Sequence, residues 1–271
     1  MRLITAALLV LSIAGCASTP LDIREQAARL GLEARVENTG ALPVQTLQPP
    51  QVDGPLLRVY LEGDGRAWIT PRAPSDDPTP TQSLVLDLLA TDATPAAYLA
   101  RPCQFVRGSG CRTWLWTDGR YSDPVVEATN RALDALKARL GIEHFELVGH
   151  SGGATIALLL AQRRADVVAV QTLAGNLAPG EWTRLKALSP LRGSLDPSAV
   201  PGRLVGLPQR HLLGAADRVI PAAVADVYLQ RVAPRCAERL VVAGADHQHG
   251  YAAAWQQLSR QPLPCTLRSR H

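Results

Sequence analysis

Five residues, Gly149-His150-Ser151-Gly152-Gly153, constrain this chain more than any other stretch. They follow the apolar run Phe145-Glu146-Leu147-Val148 and precede an almost wholly apolar segment from Gly153 to Gln162. The pattern reads as a buried strand that turns sharply into a buried helix, with a serine at the apex. Gly149 and Gly153 lack a Cβ, so strand and helix can close tightly around a strained Ser151. A serine raised clear of the backbone in this way is the G-x-S-x-G arrangement of a nucleophile.

The rest of the chain supplies the sheet into which such a strand fits. Short apolar strands are expected at 32–36, 43–47, 56–61, 96–99, 145–148, 167–173, 211–214 and 239–243, with helical segments at 22–30, 83–89, 123–140, 153–162, 221–232 and 250–258. Strands alternating with helices predict an α/β fold: a mainly parallel twisted sheet with helices on both faces. Pro124 at a helix start and Gly141 after its last apolar turn bound the 123–140 helix. The stretch 175–209, rich in Pro, Gly and Leu, breaks the alternation and is expected to cross the mouth of the site as a short cap.

Serine needs a base, and the base an orienting acid. Asp217 follows the strand ending at Gly214, and His247 follows the strand ending near Ala243. Strand ends of a parallel sheet converge on one edge, where ligands bind. Ser151 is therefore expected as nucleophile, His247 as base and Asp217 as acid, with His249 the competing base and Asp246 a weaker acid. Backbone N–H groups of Gly152 and Asp64 are the expected oxyanion donors. The Asp64 carboxylate is expected to turn away, since pointing inward it would repel the oxyanion. Trp68, Trp182 and His249 are candidates for the substrate pocket. His150 reads as a packing residue, and the polar run Asp118-Gly119-Arg120-Tyr121 as a surface ion pair or pocket rim.

Gly149–Gly153, Gly214-Ala215-Ala216-Asp217-Arg218-Val219-Ile220-Pro221 and Gly244-Ala245-Asp246-His247 stand in the order of the α/β-hydrolase superfamily, which the chain resembles. More narrowly it is similar to proteobacterial lipoprotein hydrolases, through Tyr60-Leu61-Glu62-Gly63-Asp64-Gly65, Arg101-Pro102-Cys103-Gln104 and Trp116-Thr117-Asp118-Gly119-Arg120-Tyr121-Ser122. That resemblance implies a fold and a triad but no substrate. A departure lies at Glu62 and Asp64, where the superfamily often has a His-Gly motif. Among triad chemistries, hydrolysis of a small-molecule or lipid ester through an acyl-enzyme is expected ahead of amide hydrolysis. A peptidase or amidase, or a binding lipoprotein on this scaffold, are the alternatives. A carboxylate free to hold a substrate amine, at Glu62 or Asp64, would favour an aminopeptidase.

The N-terminus carries Arg2, an apolar stretch from Leu3 to Ile13, and Ile13-Ala14-Gly15-Cys16, which resembles a lipobox. It implies a signal peptide over 1–15, cleavage before Cys16, acylation of that cysteine and export. Ala17 in place of Asp directs the lipoprotein to the outer membrane, facing the periplasm. Residues 16–271 then form one hydrolase domain. In an exported chain the other four cysteines are expected as two disulfides, the local pairing Cys103–Cys111 and Cys236–Cys265 being favoured over the two other pairings. A net charge of +4 is too small and too dispersed for a nucleic-acid partner. No metal-ligand spacing occurs in the sequence, and no cofactor is expected.

Overall fold

The computed structural model describes residues 19–265. Helix α1 (Ile23–Leu30) is started by Asp22, whose carboxylate accepts from the Arg24 and Glu25 N–H groups, and stopped by Gly31 at φ +65°. Two strands follow, β1 (Glu33–Glu37) and β2 (Val44–Gln48), and then β3 (Leu56–Leu61). A small hairpin of β4 (Trp68–Thr70) and β5 (Ala73–Pro74) comes next, then α2 (Leu84–Leu89) and β6 (Ala96–Leu99). The second half runs α3 (Asp123–Leu140), β7 (His144–His150), α4 (Gly152–Arg163), β8 (Val167–Leu173), α5 (Pro179–Leu185), β9 (Gln209–Gly214), α6 (Ala223–Val232), β10 (Ala237–Val242) and α7 (Ala252–Leu258).

Eight strands form one sheet in the order β1-β2-β6-β3-β7-β8-β9-β10. β1 and β2 run antiparallel, and β2 pairs antiparallel with β6; the neighbours from β6 to β10 are all parallel. Side chains alternate between the two faces, as a strand requires. Leu57, Val59 and Leu61 of β3 join Phe145 and Leu147 of β7 beneath α3, α4 and α6. Tyr60 and Val148 face the other way, toward α2 and Trp255 of α7. A central sheet covered on both sides explains why α4 is buried from Gly152 to Ala161.

From β3 the chain crosses to β6 on one side, and β7 then adds on the other. This reversal opens a crevice at the carboxyl ends of β3 and β7, the place where open α/β sheets take ligands. The loop after β3 and the turn after β7 therefore lie side by side.

Three features depart from the sequence reading. The β4–β5 hairpin carries no strong periodicity and was not anticipated. The 175–209 segment ends earlier than expected, because Gln209 already belongs to β9. Only its first part borders the crevice; the 3-10 turns Pro197–Ala199 and Gly202–Val205 pack against α4 and α6 instead. Two disulfides are present, Cys103–Cys111 and Cys236–Cys265, with Cα atoms 5.8 and 5.4 Å apart. Cys16 and the 1–15 segment lie outside the described residues. Among those residues no helix is long and apolar enough to cross a membrane.

Candidate active site

Ser151 sits at φ +52°, ψ −119°, between the last residue of β7 and the first of α4. A non-glycine residue held at positive φ stores strain that the surrounding turn must maintain. The neighbouring glycines allow it by close approach. A Cβ on Gly149 would stand 2.5 Å from Ala154 Cα, and one on Gly153 only 2.4 Å from the Leu61 carbonyl. The Ser151 N–H donates to the Leu173 carbonyl at 3.1 Å, and its own carbonyl accepts from the Asn176 N–H at 3.0 Å. The serine is thus pinned to both β8 and the loop beyond it.

The imidazole of His247 reaches this hydroxyl. His247 Nε2 lies 3.0 Å from Ser151 Oγ, and its Nδ1 lies 2.9 Å from Asp217 Oδ2. With the Nδ1 proton given to Asp217, Nε2 is left to accept from the serine. The other carboxylate oxygen of Asp217 accepts from the Val219 and Ile220 N–H groups at 2.8 and 2.9 Å. Burial alone would raise this carboxyl's pKa; the hydrogen bonds from His247, Ile220 and Val219 outweigh it and hold the group below the usual carboxylate range.

Asp246 serves the turn rather than the imidazole: its Oδ1 accepts from the Gln248 and His249 N–H groups at 2.7 and 2.8 Å. The His249 ring stacks its Nδ1 on that same carboxylate at 3.2 Å and points to solvent. His249 therefore lies neither beside Ser151 nor on the pocket wall, because the Asp246 turn carries it outward. Gln248 takes the place on the wall that was expected of His249.

His150 is buried, and its Nε2 donates to the His247 carbonyl at 2.8 Å. Burial, then the neighbouring His247, pushes its pKa down to about 4, so near neutral pH the ring is an uncharged donor tying the elbow to the base loop. This goes beyond the packing role read from sequence.

Opposite the imidazole lie two unspent donors. Neither the Gly152 nor the Asp64 backbone N–H has a hydrogen-bond partner among the described residues. The Asp64 side chain turns toward two arginines: its carboxylate accepts from Arg101 Nη1 at 2.8 Å, Arg120 Nη1 at 2.9 Å and the Tyr121 hydroxyl at 3.1 Å. It passes directly under Gly152, where a Cβ would stand 2.0 Å from Asp64 Oδ1. Burial pushes this carboxyl up, yet Arg120 and Arg101 together hold it below its ordinary value. Gln104 Nε2 donates to the Gly63 carbonyl at 3.1 Å and steadies the same loop. Of the two readings for residues 118–121, the pocket rim holds and the surface ion pair does not: Asp118, Arg120 and Tyr121 line the cavity, and Arg120 and Tyr121 are buried, because Asp64 neutralises the guanidinium and the phenol finds an acceptor. The convergence of Asp64, Arg101, Arg120 and Tyr121 has no signal in local sequence, since their segments meet only in the folded sheet.

Glu62 is fully engaged. Its carboxyl accepts from the Gly63 N–H at 2.8 Å, the Tyr98 hydroxyl at 3.0 Å and the Ser83 hydroxyl. Burial drives its pKa upward against these donors. Neither Glu62 nor Asp64 is left free to hold a substrate ammonium.

Above Ser151 opens a cavity of about 940 Å³. Trp68 and Ile69 of the β4–β5 hairpin line one side; Trp182 of α5, with Leu188 and Leu191 after it, lines another. Trp182 Nε1 donates to the Val219 carbonyl at 3.0 Å, which docks α5 on the loop that carries Asp217. The cap is therefore built from two segments, of which sequence reading named one. Among the described residues no group of His, Cys, Asp and Glu is arranged to hold a metal ion.

A parallel sheet with these crossovers, a strained serine at the end of a central strand and helices on both faces defines the α/β-hydrolase fold, and solved structures bear this out. An α/β serine hydrolase from Xanthomonas campestris described as lacking a lid matches over 87% of this chain and 97% of its own, with a TM-score of 0.56 and 12% identity. An α-β serine hydrolase homologue from Coxiella burnetii matches over 83% of this chain and 94% of its own, at TM-score 0.54 and 16% identity. A puromycin-hydrolyzing peptidase of Mycobacterium tuberculosis covers 92% of this chain at TM-score 0.57 and 14% identity, while this chain spans 40% of that protein. No protein-family model matches the sequence, and no curated protein matches it significantly.

Proposed function

We propose that this protein is a serine hydrolase that cleaves carboxylic esters through an acyl-enzyme. The observation that carries the reading is the continuous hydrogen-bonded relay Asp217–His247–Ser151 at the floor of an open cavity. Ser151 Oγ attacks the substrate carbonyl while His247 Nε2 takes its proton; Asp217 steadies the imidazolium that forms. The unpartnered N–H groups of Gly152 and Asp64 receive the oxyanion. His247 then returns the proton to the leaving alkoxide, and a water, activated by the same imidazole, hydrolyses the acyl-enzyme.

Two features favour esters over peptides. Glu62 and Asp64, the carboxylates of the loop beside Ser151, have their acceptors filled and are not free to anchor a peptide's ammonium. The cap presents Trp68, Ile69, Trp182 and Leu188, surfaces suited to apolar acyl or alcohol groups. The test is a panel of p-nitrophenyl esters of increasing chain length beside aminoacyl and dipeptidyl anilides. Ester turnover that vanishes in Ser151→Ala supports the reading; anilide turnover faster than ester turnover would replace it with an amidase.

Anchoring is part of the same proposal. Acylation of Cys16 would hold α1, which starts at Ile23, within about 20 Å of the outer-membrane surface, the reach of six extended residues. Lipid or other amphiphilic esters would then be the nearest substrates.

A further inference from the structure

One carboxylate, Asp64, serves two buried guanidiniums, Arg101 and Arg120, whose side chains are each 7% exposed. Arg120 spends Nε on the Thr117 carbonyl at 2.6 Å and Nη1 on Asp64. Its Nη2 has no protein partner among the described residues and is not among the enclosed polar atoms, while Arg120 stands on the wall of the cavity above Ser151. That edge of the guanidinium is therefore open, on a residue that borders both the cavity and a small cleft beside Arg101. Trp182, 5.8 Å from the guanidinium carbon, backs it from the cap. Arg66 lines the same cavity; its backbone N–H donates to the Pro78 carbonyl at 3.0 Å, but its guanidinium makes no hydrogen bond or ion pair among the described residues.

No other carboxyl nearby is hydrogen-bonded to these guanidiniums. Asp118 lies on the rim, exposed and without a hydrogen bond to either guanidinium, and acts on Arg120 only as a solvent-screened charge. Asp217 is off the wall, consumed by His247, Val219 and Ile220. Glu62 is enclosed by Ser83, Tyr98 and Gly63, and burial pushes it toward its uncharged form. A surplus of buried positive charge is costly unless something supplies the counter-charge. Guanidinium N–H edges match a carboxylate in geometry as well as sign.

We infer that the substrate carries a carboxylate, received by Arg120 and Arg66 while Ser151 attacks an ester in the same molecule. The inference rests on the serine-hydrolase reading and names the substrate class of that site. Acyl-side and alcohol-side acids share this chemistry, and matched pairs separate them. The first pair is p-nitrophenyl hydrogen glutarate against p-nitrophenyl pentanoate; the second is 4-acetoxybenzoate against its methyl ester. Rates are taken above the Ser151→Ala background, and fluorophosphonate labelling of Ser151 is followed in parallel.

The acid is expected to exceed its neutral partner in kcat/KM by about tenfold or more in one of the pairs, the scale of a charge-assisted hydrogen bond. Arg66→Gln and Arg120→Gln should each reduce that preference at least about fivefold. Arg66 makes no side-chain hydrogen bond or ion pair among the described residues, so its variant keeps the test open if Arg120→Gln fails to fold. Neutral esters equal or better in both pairs, or an acid preference that the soluble variants leave intact, would overturn the inference even where Ser151 labels normally. Loss of labelling itself would sink the parent reading instead.

Discussion

At the scale of single residues, the Asp64 carboxylate sits beneath the proposed oxyanion hole without opposing it. In the proposed mechanism Asp64 lends its backbone N–H to the hole, while its side chain is clamped by Arg101, Arg120 and Tyr121. Asp64→Asn retains the N–H but loosens the clamp and leaves both guanidiniums short of an anion. It should lower kcat by about ten- to a hundredfold, somewhat less than full loss of an oxyanion donor, with KM little changed. Steady-state kinetics on a p-nitrophenyl ester check the split; a change confined to KM would speak against the hole. Two buried imidazoles set the acid limb of stability. His150 and His211 have pKa values lowered by burial to about 4 and about 3, against an ordinary 6.5. Below about 6.5 the unfolded chain binds protons that these folded rings refuse, so the stability they confer is present above that pH and is lost as pH falls toward their folded values. Urea unfolding between about pH 7 and about pH 4 should show a decline on the order of 3 kcal/mol from His150 alone. His150→Gln should flatten that decline; an unchanged acid limb would mean the ring is already charged in the fold.

At the scale of elements, the base loop is held from behind by a polar ladder across the sheet. Arg58 of β3 faces Glu146 of β7, and Gln171 of β8, Arg210 of β9 and Glu238 of β10 continue the row. Arg58 Nη2 donates to Glu146 and to the Ser259 carbonyl, both at 3.0 Å. Arg210 donates to Glu238, to Gln171, and to the Leu258 and Pro262 carbonyls. The ladder therefore caps the end of α7, the helix that follows His247. Arg210→Met would remove a buried guanidinium and leave Glu238 and Gln171 without their partner, and should cost about 3–5 kcal/mol in denaturant unfolding; a loss under about 1 kcal/mol would show the ladder to be expendable. The Cys236–Cys265 bridge ties the chain beyond α7 to the start of β10 and closes a span of 29 residues, against 8 for Cys103–Cys111. Loop-closure entropy grows with span, so Cys265→Ser should lower stability by about 3 kcal/mol and more than Cys111→Ser does. Thermal unfolding of the two variants in oxidising buffer gives the order; a reversed order would place the first bridge, beside the oxyanion loop, in the more strained part of the fold.

At the scale of the whole molecule, the sheet frame and the candidate trio Ser151, Asp217 and His247 were legible because both are written in local pattern. β3, β6 and β8 could be bounded to the residue, since apolar, β-branched runs end at turn-forming residues, and Ser151, Asp217 and His247 each mark the end of a strand. What stayed hidden was whatever depends on distant segments meeting. Asp118-Gly119-Arg120-Tyr121 read as a surface ion pair or a pocket rim, and their meeting with Asp64 and Arg101 stayed hidden because those partners lie on other loops. The β4–β5 hairpin, five strand residues around a Pro-Arg turn, is too short to show a period and completes a cap that sequence placed only in 175–209. His249 and His247 are indistinguishable by composition, and only the Asp246 turn separates their directions. If Cys16 anchors the whole assembly, Cys16→Ser should move the protein from the outer-membrane to the soluble fraction on fractionation, and an unaltered distribution would remove the anchor without touching the triad. The central claim, that Ser151 is a nucleophile activated by His247, is tested most directly by the rate at which a fluorophosphonate modifies the intact protein, with the adduct located by peptide mass spectrometry. Rapid adduct formation on Ser151 is expected, slowed about a thousandfold or more in His247→Ala; modification elsewhere, or at an equal rate without the imidazole, would rule that activation out.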